Sequence, residues 1–319
     1  MSESFSKIKV EAACAGPQLN LSETEKAVLR EHATRAARAC GWVANKRCAR
    51  KPKELFRKSA QRLGDLEREL YALKSGEPSD DLQWLYDNLR LVRTDIQDLE
   101  SGAKTLAKLP AVRTEGDECI SRPVVLGRAL LAAADLQLTE SNFFFFIQTV
   151  EDIEPLRLSE LGAMLPGLKL VLLELIADRG FKALQAFREH GVSAPSFEIG
   201  RLIRSLRFIG EIDWKETIEQ LSIVHRVLCL DPAGVYPRMD FQSREQYRQA
   251  VAKIAARSDV SEAELARCAV TMAEGATVER SATQALRDRL RHVGYYLIDD
   301  TGSEELLHSV GHRPSFGEL

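Results

Sequence analysis

The sequence predicts an all-α protein, either one multi-helix bundle or two packed helical subdomains. Apolar residues recur every three or four positions through most of the 319 residues, which is the spacing of one face of an α-helix. Serine followed three residues later by glutamate marks clear helix starts at Ser22 and Ser261. No run of alternating apolar and polar residues is long enough to predict a sheet.

The composition is that of a globular chain without a strong overall charge. Hydrophobic residues make up 45%, charged residues 29%, and the formal net charge is -3, so nucleic acid is not an expected partner. The most apolar run, from Leu161 to Ala177, is interrupted by Pro166, Lys169 and Glu174 and predicts a buried helix instead of a membrane span. This helix is expected to end at Arg179-Gly180. Six cysteines without a C-x-x-C pair predict reduced thiols in a cytoplasmic compartment.

The first half of the chain predicts a tail followed by long helices. Residues 1–20 are expected to form a flexible tail, and residues 21–190 an N-terminal helical subdomain whose first helices are basic. Ser22 and Glu25 form a capping box. Leucines spaced as in a helical stripe continue to Leu73, and Ser79 or Asp80 can cap the next helix, which ends at Leu109-Pro110. Residues 111–123 are expected to be a polar connection, and Thr139 a cap before four consecutive phenylalanines.

The second half predicts shorter helices after a boundary at Gly191–Pro195. Residues 191–319 are the expected C-terminal helical subdomain. Asp213 is expected to cap one helix that runs to Leu228 and stops before Pro232, and Asp240 or Ser243 to start the next helix. Only residues 295–298 have local β character.

No known catalytic centre is visible in the sequence. Phosphate-binding glycine loops, H-E-x-x-H, G-x-S-x-G and D-x-D are all absent. The acidic pairs Asp80-Asp81 and Asp299-Asp300 are neighbours that point apart on a helix or turn, whereas glycosidases need facing carboxyls. We therefore predict no catalytic residue, no metal site and no cofactor, with an independent enzyme as the least favoured alternative.

Residues 30–62 are strongly basic and allow two interpretations. They could contact the anionic face of a membrane, at roughly 1 kcal/mol for each cation, or they could be a solvated helix face balanced by acids elsewhere. The candidate membrane-facing residues are Lys46, Arg47, Arg50, Lys51 and Lys53.

Residues 231–248, D-P-A-G-V-Y-P-R-M-D-F-Q-S-R-E-Q-Y-R, combine aromatic and cationic side chains around a tight turn. Tyrosine rings and forked arginines either lock two helices together or meet a sugar or phosphate in a cleft. The candidate binding or interdomain cluster consists of Tyr236, Arg238, Asp240, Arg244, Tyr247 and Arg248.

This segment resembles the D-P-A-G-x-Y-x-R-M-D-F-x-[ST]-R-x-x-Y-R signature of the cyclic β-1,2-glucan synthases, large bacterial inner-membrane enzymes. Other segments resemble the family in the same order. They are residues 79–88 (S-D-D-L-Q-W-L-Y-D-N), Leu109-Pro110, residues 155–161 (P-L-R-L-S-E-L), residues 205–207 (S-L-R), Asp213-Trp214 and residues 292–298 (H-V-G-Y-Y-L-I). The resemblance covers roughly residues 79–313 and is specific only in 231–248.

The resemblance implies a cytosolic helical region that precedes the first membrane span of such an enzyme. The family joins this region to a membrane-embedded glycosyltransferase, which polymerises glucose from UDP-glucose on a protein-bound intermediate, and to a phosphorylase-like domain. Neither catalytic part has a counterpart in this sequence. We therefore expect a non-catalytic domain at the inner face of the bacterial inner membrane that docks to or organises the transferase, in cis or in trans. The alternative is a stand-alone adaptor or a β-glucan-binding module.

Overall fold

The computed structural model describes residues 19–39, 41–43, 51–73, 78–113, 119–276 and 283–311, with only the backbone for 41–43 and for residue 192. Residues 1–18 of the tail expected at residues 1–20 lie outside the described ranges. Lys46, Arg47 and Arg50 also lie outside them. The chain is mainly α-helical, as the apolar periodicity predicts. Within the part of the chain that is described, no helix is both long and apolar enough to cross a membrane.

The helices vary in length from four to 27 residues. They are α1 (Glu23–Arg38), α2 (Lys51–Ala72), α3 (Asp80–Leu106), α4 (Arg122–Ala133), α5 (Glu140–Ile153), α6 (Leu158–Leu161), α7 (Met164–His190), α8 (Ile199–Glu211), α9 (Trp214–Leu221), α10 (Ile223–Leu228), α11 (Phe241–Ala255), α12 (Glu262–Gly275), α13 (Gln284–Leu290), α14 (Val293–Ile298) and α15 (Asp300–Val310). Single turns of 3₁₀-helix lie at Gly191–Ser193 and Tyr236–Arg238. The four phenylalanines belong to α5, whose capping residue is Thr139 as predicted.

A small antiparallel sheet is the main departure from the expected all-helical pattern. Strands β1 (Gly41–Val43), β2 (Ala111–Arg113) and β3 (Cys119–Ser121) pair in that order. The prediction of a polar connection over 111–123 is therefore wrong. Each strand has three residues, too few for a period-two pattern to show in the sequence.

The chain forms two compact units. The N-terminal unit contains residues 18–154 and 159–213, and the C-terminal unit contains residues 155–158 and 214–319. The boundary expected at Gly191 does not coincide with this division, because α8 packs on α3 and α7 in the N-terminal unit. Asp81 contributes to that packing: its buried carboxylate accepts the backbone N–H groups of Phe197 (2.5 Å) and Ile199 (3.0 Å) at the start of α8.

Helix α7 is the centre of the N-terminal unit and packs against α2, α3, α4 and α8. Its residues Leu168, Leu170, Leu172 and Ile176 are fully buried, which confirms the buried helix predicted from the apolar run. The helix continues past Gly180, where the sequence suggested an end, and stops at Gly191 (φ 61°). It continues because residue 180 lies against Leu66 and Leu85, where a glycine allows close approach of the helices.

The C-terminal unit has its own apolar core, built from α10, α11, α12, α14 and α15. One local prediction is wrong there. The helix expected from Asp213 to Leu228 is broken at Ser222, whose hydroxyl accepts the N–H of His225 at the start of α10. Residues 295–298 are helical despite their local β character, in line with the all-α prediction.

Among the described cysteines, Cys119 departs from the expectation of reduced thiols because it is disulfide-bonded. Cys229 and Cys268 are not in a disulfide, as expected.

Candidate functional site

The candidate cluster of residues 231–248 forms a corner between α10 and α11 in the C-terminal unit. We call this segment the signature corner. The chain leaves α10, turns at Gly234 (φ 61°), passes through the 3₁₀ turn at 236–238 and enters α11 at Phe241. A positive φ is the conformation in which glycine has no steric penalty, so Gly234 makes the tight turn possible.

Asp231 holds the turn together from inside. Its fully buried carboxylate accepts the backbone N–H groups of Val235 (2.9 Å), Tyr236 (3.1 Å) and Val293 (3.1 Å). It also accepts Nδ1 of His292 at 2.9 Å. Burial alone would raise the pKa of this carboxyl, but the bonds from His292 and the backbone outweigh it and the pKa is lowered.

Tyr247 continues this chain of hydrogen bonds. Its hydroxyl lies 3.0 Å from Nε2 of His292. Because the Asp231 carboxylate can only accept, Nδ1 of His292 carries the proton, and in the neutral ring Nε2 accepts the Tyr247 hydroxyl. The carboxylate–imidazole–hydroxyl order is that of a nucleophile with its base. However, burial and the charge of Asp231 raise the pKa of Tyr247, so this phenol is not activated.

A second network joins the arginines of the signature corner to an acid in α9. Glu219 in α9 accepts Nε of Arg244 at 2.9 Å, Nη2 of Arg244 at 2.6 Å and Nη1 of Arg248. Burial by itself raises the pKa of Glu219, but the Arg244 bond and the charge of Arg248 outweigh it and lower the pKa. Arg248 is 2% exposed and also pairs with Glu245, so its buried charge is compensated on two sides.

Tyr236 connects the two networks. It is completely buried, its hydroxyl lies 3.0 Å from Nδ1 of His225, and it accepts Nη1 of Arg248 at 3.3 Å. Arg248 can only donate, so the tyrosine proton points to His225. Burial is the main cause of the strongly raised pKa of Tyr236. A ring enclosed in this way cannot stack on a sugar while the corner stays folded.

The remaining candidate residues of the signature corner are closer to solvent. Arg238 is exposed and donates to the carbonyl oxygens of Gly234 (2.5 Å) and Ala233 (3.3 Å). Asp240 is exposed and caps α11 by accepting the N–H of Ser243 at 2.9 Å. The structure thus brings all six candidates into one corner, and each has a partner within the chain.

Sequence reasoning missed the acid on which the arginines converge. Glu219 precedes the signature corner, in a helix with no distinctive motif. No local pattern marked it, because Glu219 lies two positions from Leu221 and therefore off the apolar stripe of α9. Its burial shows only in the structure, where such a carboxylate is costly without a cationic partner. His225 of α10 is buried and hydrogen-bonded to the Tyr236 hydroxyl at 3.0 Å.

Two other segments quoted for the resemblance meet in the N-terminal unit. Asn88 of α3 accepts Nη2 of Arg207 of α8 at 2.6 Å and donates to the carbonyl of Trp84 at 2.8 Å. These residues line a pocket of about 340 Å³ between α3 and α8, together with Asp80, Gln83 and Asp87. We call it the α3–α8 pocket.

Of the predicted membrane-facing residues, Lys51 and Lys53 are described, and both are exposed in the first turn of α2. Arg57 and Lys58 are exposed one turn further along. Glu54 is the acidic residue of that first turn. Because these four cations outnumber it, the start of α2 is a cationic surface.

The fold and these sites define an all-α protein whose most distinctive motif is a buried polar network. Over the ranges that the structure covers, no group of three or more His, Cys, Asp and Glu side chains is arranged to hold a metal. No family model matches the chain.

The chain is similar to the cyclic β-(1,2)-glucan synthase NdvB of Rhizobium meliloti (strain 1021). The two are 30% identical over 146 residues, which is 44% of this chain and 5% of the synthase. The chain thus matches only about one twentieth of the length of this curated relative. The similarity indicates a distant and partial relation to a glucan synthase.

Proposed function

We propose that this chain is a non-catalytic helical module of β-1,2-glucan synthesis that docks to and organises a glycosyltransferase, in cis or in trans. It would act at the cytoplasmic face of the bacterial inner membrane. The partial similarity to a glucan synthase supports the pathway. The arrangement of the signature corner supports docking in preference to chemistry, because its ionisable groups are paired with one another.

The observation that carries the docking proposal is the contrast between the inside and the outside of the signature corner. Inside, Tyr236 and Arg248 are fixed by buried hydrogen bonds. Outside, Leu230 is 61% exposed, Val235 is 37% exposed, and the cationic Arg238 lies beside them in sequence. A rigid corner that presents apolar and guanidinium groups suits a partner with an apolar patch bordered by acids.

The test uses membranes with a glucan synthase that lacks its own helical region. Adding the tagged chain should restore incorporation of labelled glucose from UDP-glucose into glucan, and the chain should co-purify with the transferase. Leu230→Ser with Val235→Ser should weaken both readouts. Leu286→Ser is a matched control, because Leu286 is 42% exposed on the same unit but away from the corner in sequence.

Synthesis that stays the same with and without the chain, together with no co-purification, would rule out the docking role. Equal loss in the Leu286→Ser control would mean that the corner is not the docking surface. Retained binding to glucan without any effect on the transferase would favour the alternative of a stand-alone carbohydrate-binding module.

The cationic start of α2 supports the membrane part of the proposal. Lys51, Lys53, Arg57 and Lys58 can approach anionic lipid without burying apolar surface. The chain should sediment with vesicles that contain phosphatidylglycerol at low salt and be released as salt screens the charges. Lys51→Gln with Lys53→Gln should reduce sedimentation. Binding to neutral phosphatidylcholine vesicles of the same strength would contradict this mechanism.

A further inference from the structure

The α3–α8 pocket has the side chains of a sugar-binding site and no role in the docking proposal. Residues 79–88 and 205–207 are more than a hundred positions apart in the chain, yet Asn88 and Arg207 meet here through a 2.6 Å hydrogen bond. The pocket volume of about 340 Å³ lies at the lower end of the range for ligand sites. It therefore suits a short stretch of a chain molecule.

Trp84 supplies an oriented aromatic surface. The half-buried indole lies so close to α8 that a Cβ added at Gly200 would meet it at 3.1 Å, and the Arg204 guanidinium lies 5.5 Å from the ring centroid. An indole held in this way is ready to pack against the C–H face of a pyranose ring at little entropic cost. Its N–H has no hydrogen-bond acceptor among the residues that the structure describes.

The charged groups around the indole, Asp80, Asp87 and Arg207, are exposed. Asp80 has no cation at ion-pair distance among the described residues, and Asp87 accepts only the amide of Gln83, at 2.8 Å. Carboxylates with free lone pairs accept sugar hydroxyls, and the Arg207 guanidinium donates to them. Donors and acceptors thus lie on the same face, as a polyhydroxylated ligand requires.

The charges of the pocket favour a neutral ligand over an anion or a metal ion. With Arg204 beside the indole, the guanidiniums of Arg204 and Arg207 balance the two carboxylates, so the pocket carries no net charge that would attract a phosphate or a nucleotide sugar. Asp80 and Asp87 are two turns apart on α3, about 10 Å along the helix axis, which is too far for both to ligate one cation.

We propose that the α3–α8 pocket binds a neutral glucan chain, with Trp84 as the stacking platform and Asp80, Asp87 and Arg207 as hydrogen-bonding groups. The assignment of this glucan as β-1,2-linked rests on the proposed function. The assignment of the pocket as a glucan site rests on its side chains alone. A site of this kind would hold the growing polymer near the transferase to which the module docks.

The experiment is a calorimetric titration of the full chain with cyclic β-1,2-glucan, and in parallel with a linear β-1,3-glucan and with UDP-glucose. Trp84→Phe and Asp87→Asn should each weaken binding of the β-1,2-glucan by roughly tenfold, which corresponds to about 1.4 kcal/mol of lost contact. Asp98→Asn is the matched control: Asp98 is exposed on the same helix but lies outside the pocket. Circular dichroism should show the same unfolding midpoint for all three variants.

The calorimetric titration separates the glucan-binding proposal from its alternatives. Loss of binding in Trp84→Phe and Asp87→Asn with none in Asp98→Asn supports the site. No glucan binding by the folded chain, or equal binding by all variants, overturns it. Tighter binding of UDP-glucose than of glucan overturns the neutral-ligand assignment, and equal binding of the β-1,3-glucan overturns the linkage. Co-purification with the transferase does not require glucan binding, so the docking proposal can hold even if the glucan-binding proposal fails.

Discussion

Glu219→Gln is the sharpest test of whether the signature corner is a structural lock. The change keeps the size of the side chain and removes only its charge and one acceptor oxygen. Glu219 now accepts bonds from both Arg244 and Arg248. The glutamine would place an N–H₂ group where a carboxylate oxygen now accepts, so this amide donor would face a guanidinium donor. The change would also remove the negative charge that compensates the buried guanidiniums.

The expected cost follows from which arginine loses its partner. Removing one member of a buried ion pair costs about 3–5 kcal/mol. The Arg244 side chain is 20% exposed and can recover part of its hydration, and Arg248 keeps Glu245. We therefore expect about 3 kcal/mol, at the lower end of this range, which corresponds to a shift of the urea midpoint on the order of 1 M.

Urea unfolding followed by circular dichroism measures this shift. Because the chain has two compact units, a single two-state transition is not assumed, and the loss should appear in the transition that reports the C-terminal unit. Trp214 in α9 provides a fluorescence signal in that unit. Glu274→Gln is the control, since Glu274 is exposed and the change should cost less than about 0.5 kcal/mol.

A Glu219→Gln variant that unfolds at the wild-type midpoint would refute the reasoning, because the arginines would then need no counter-charge from α9. A stable variant that also lost transferase or glucan binding would show instead that this cluster is a binding site.

Three further outcomes follow from the same structure. Tyr236→Phe should cost about 1–3 kcal/mol in urea unfolding, since it leaves a buried imidazole and a buried guanidinium without a shared partner; an unchanged midpoint would contradict this. The lowered pKa values of Asp231 and Glu219 mean that each carboxylate stabilises the folded state above about pH 4 and that this stability is lost as the pH falls through the lowered values. Thermal melts from pH 7 to pH 3 should therefore fall steeply at the acid end, and a flat profile would count against both networks. Gly302→Ala should cost about 1–3 kcal/mol, because its Cβ would overlap the backbone carbonyl of Tyr295; wild-type stability would show that α14 and α15 can separate without penalty.

The helical part of the fold could be predicted because its signals are local. The capping boxes at Ser22 and Ser261 are formed as expected, and Thr139 caps α5. The errors arise where long-range contacts decide. Gly180 does not end a helix because α2 and α3 pack against it, and the strand at 111–113 pairs with residues 41–43, which lie far earlier in the chain. Sequence spacing also does not show which cysteines approach one another, hence the error at Cys119.

The candidate site was predictable in position but not in chemistry. The density of tyrosine and arginine in 231–248 identified the corner. Burial separates the interpretations that the sequence left open. Tyr236 is completely buried, and its side chain contacts His225 of α10 and Arg248 of α11, which the sequence does not show to be its neighbours. The α3–α8 pocket was likewise invisible, since Asp87 and Arg207 become neighbours only through packing.

The C-terminal unit is discontinuous in sequence, because residues 155–158 belong to it while residues 159–213 belong to the N-terminal unit. The backbone N–H of Leu158 donates to Glu262 at 2.7 Å, and Leu156 is buried. A gene fragment that starts at codon 191 or at codon 214 would therefore encode a C-terminal unit without one of its own pieces. During synthesis, those four residues emerge well before the rest of their unit. Exchange of this region between proteins would preserve the fold only if both stretches moved together.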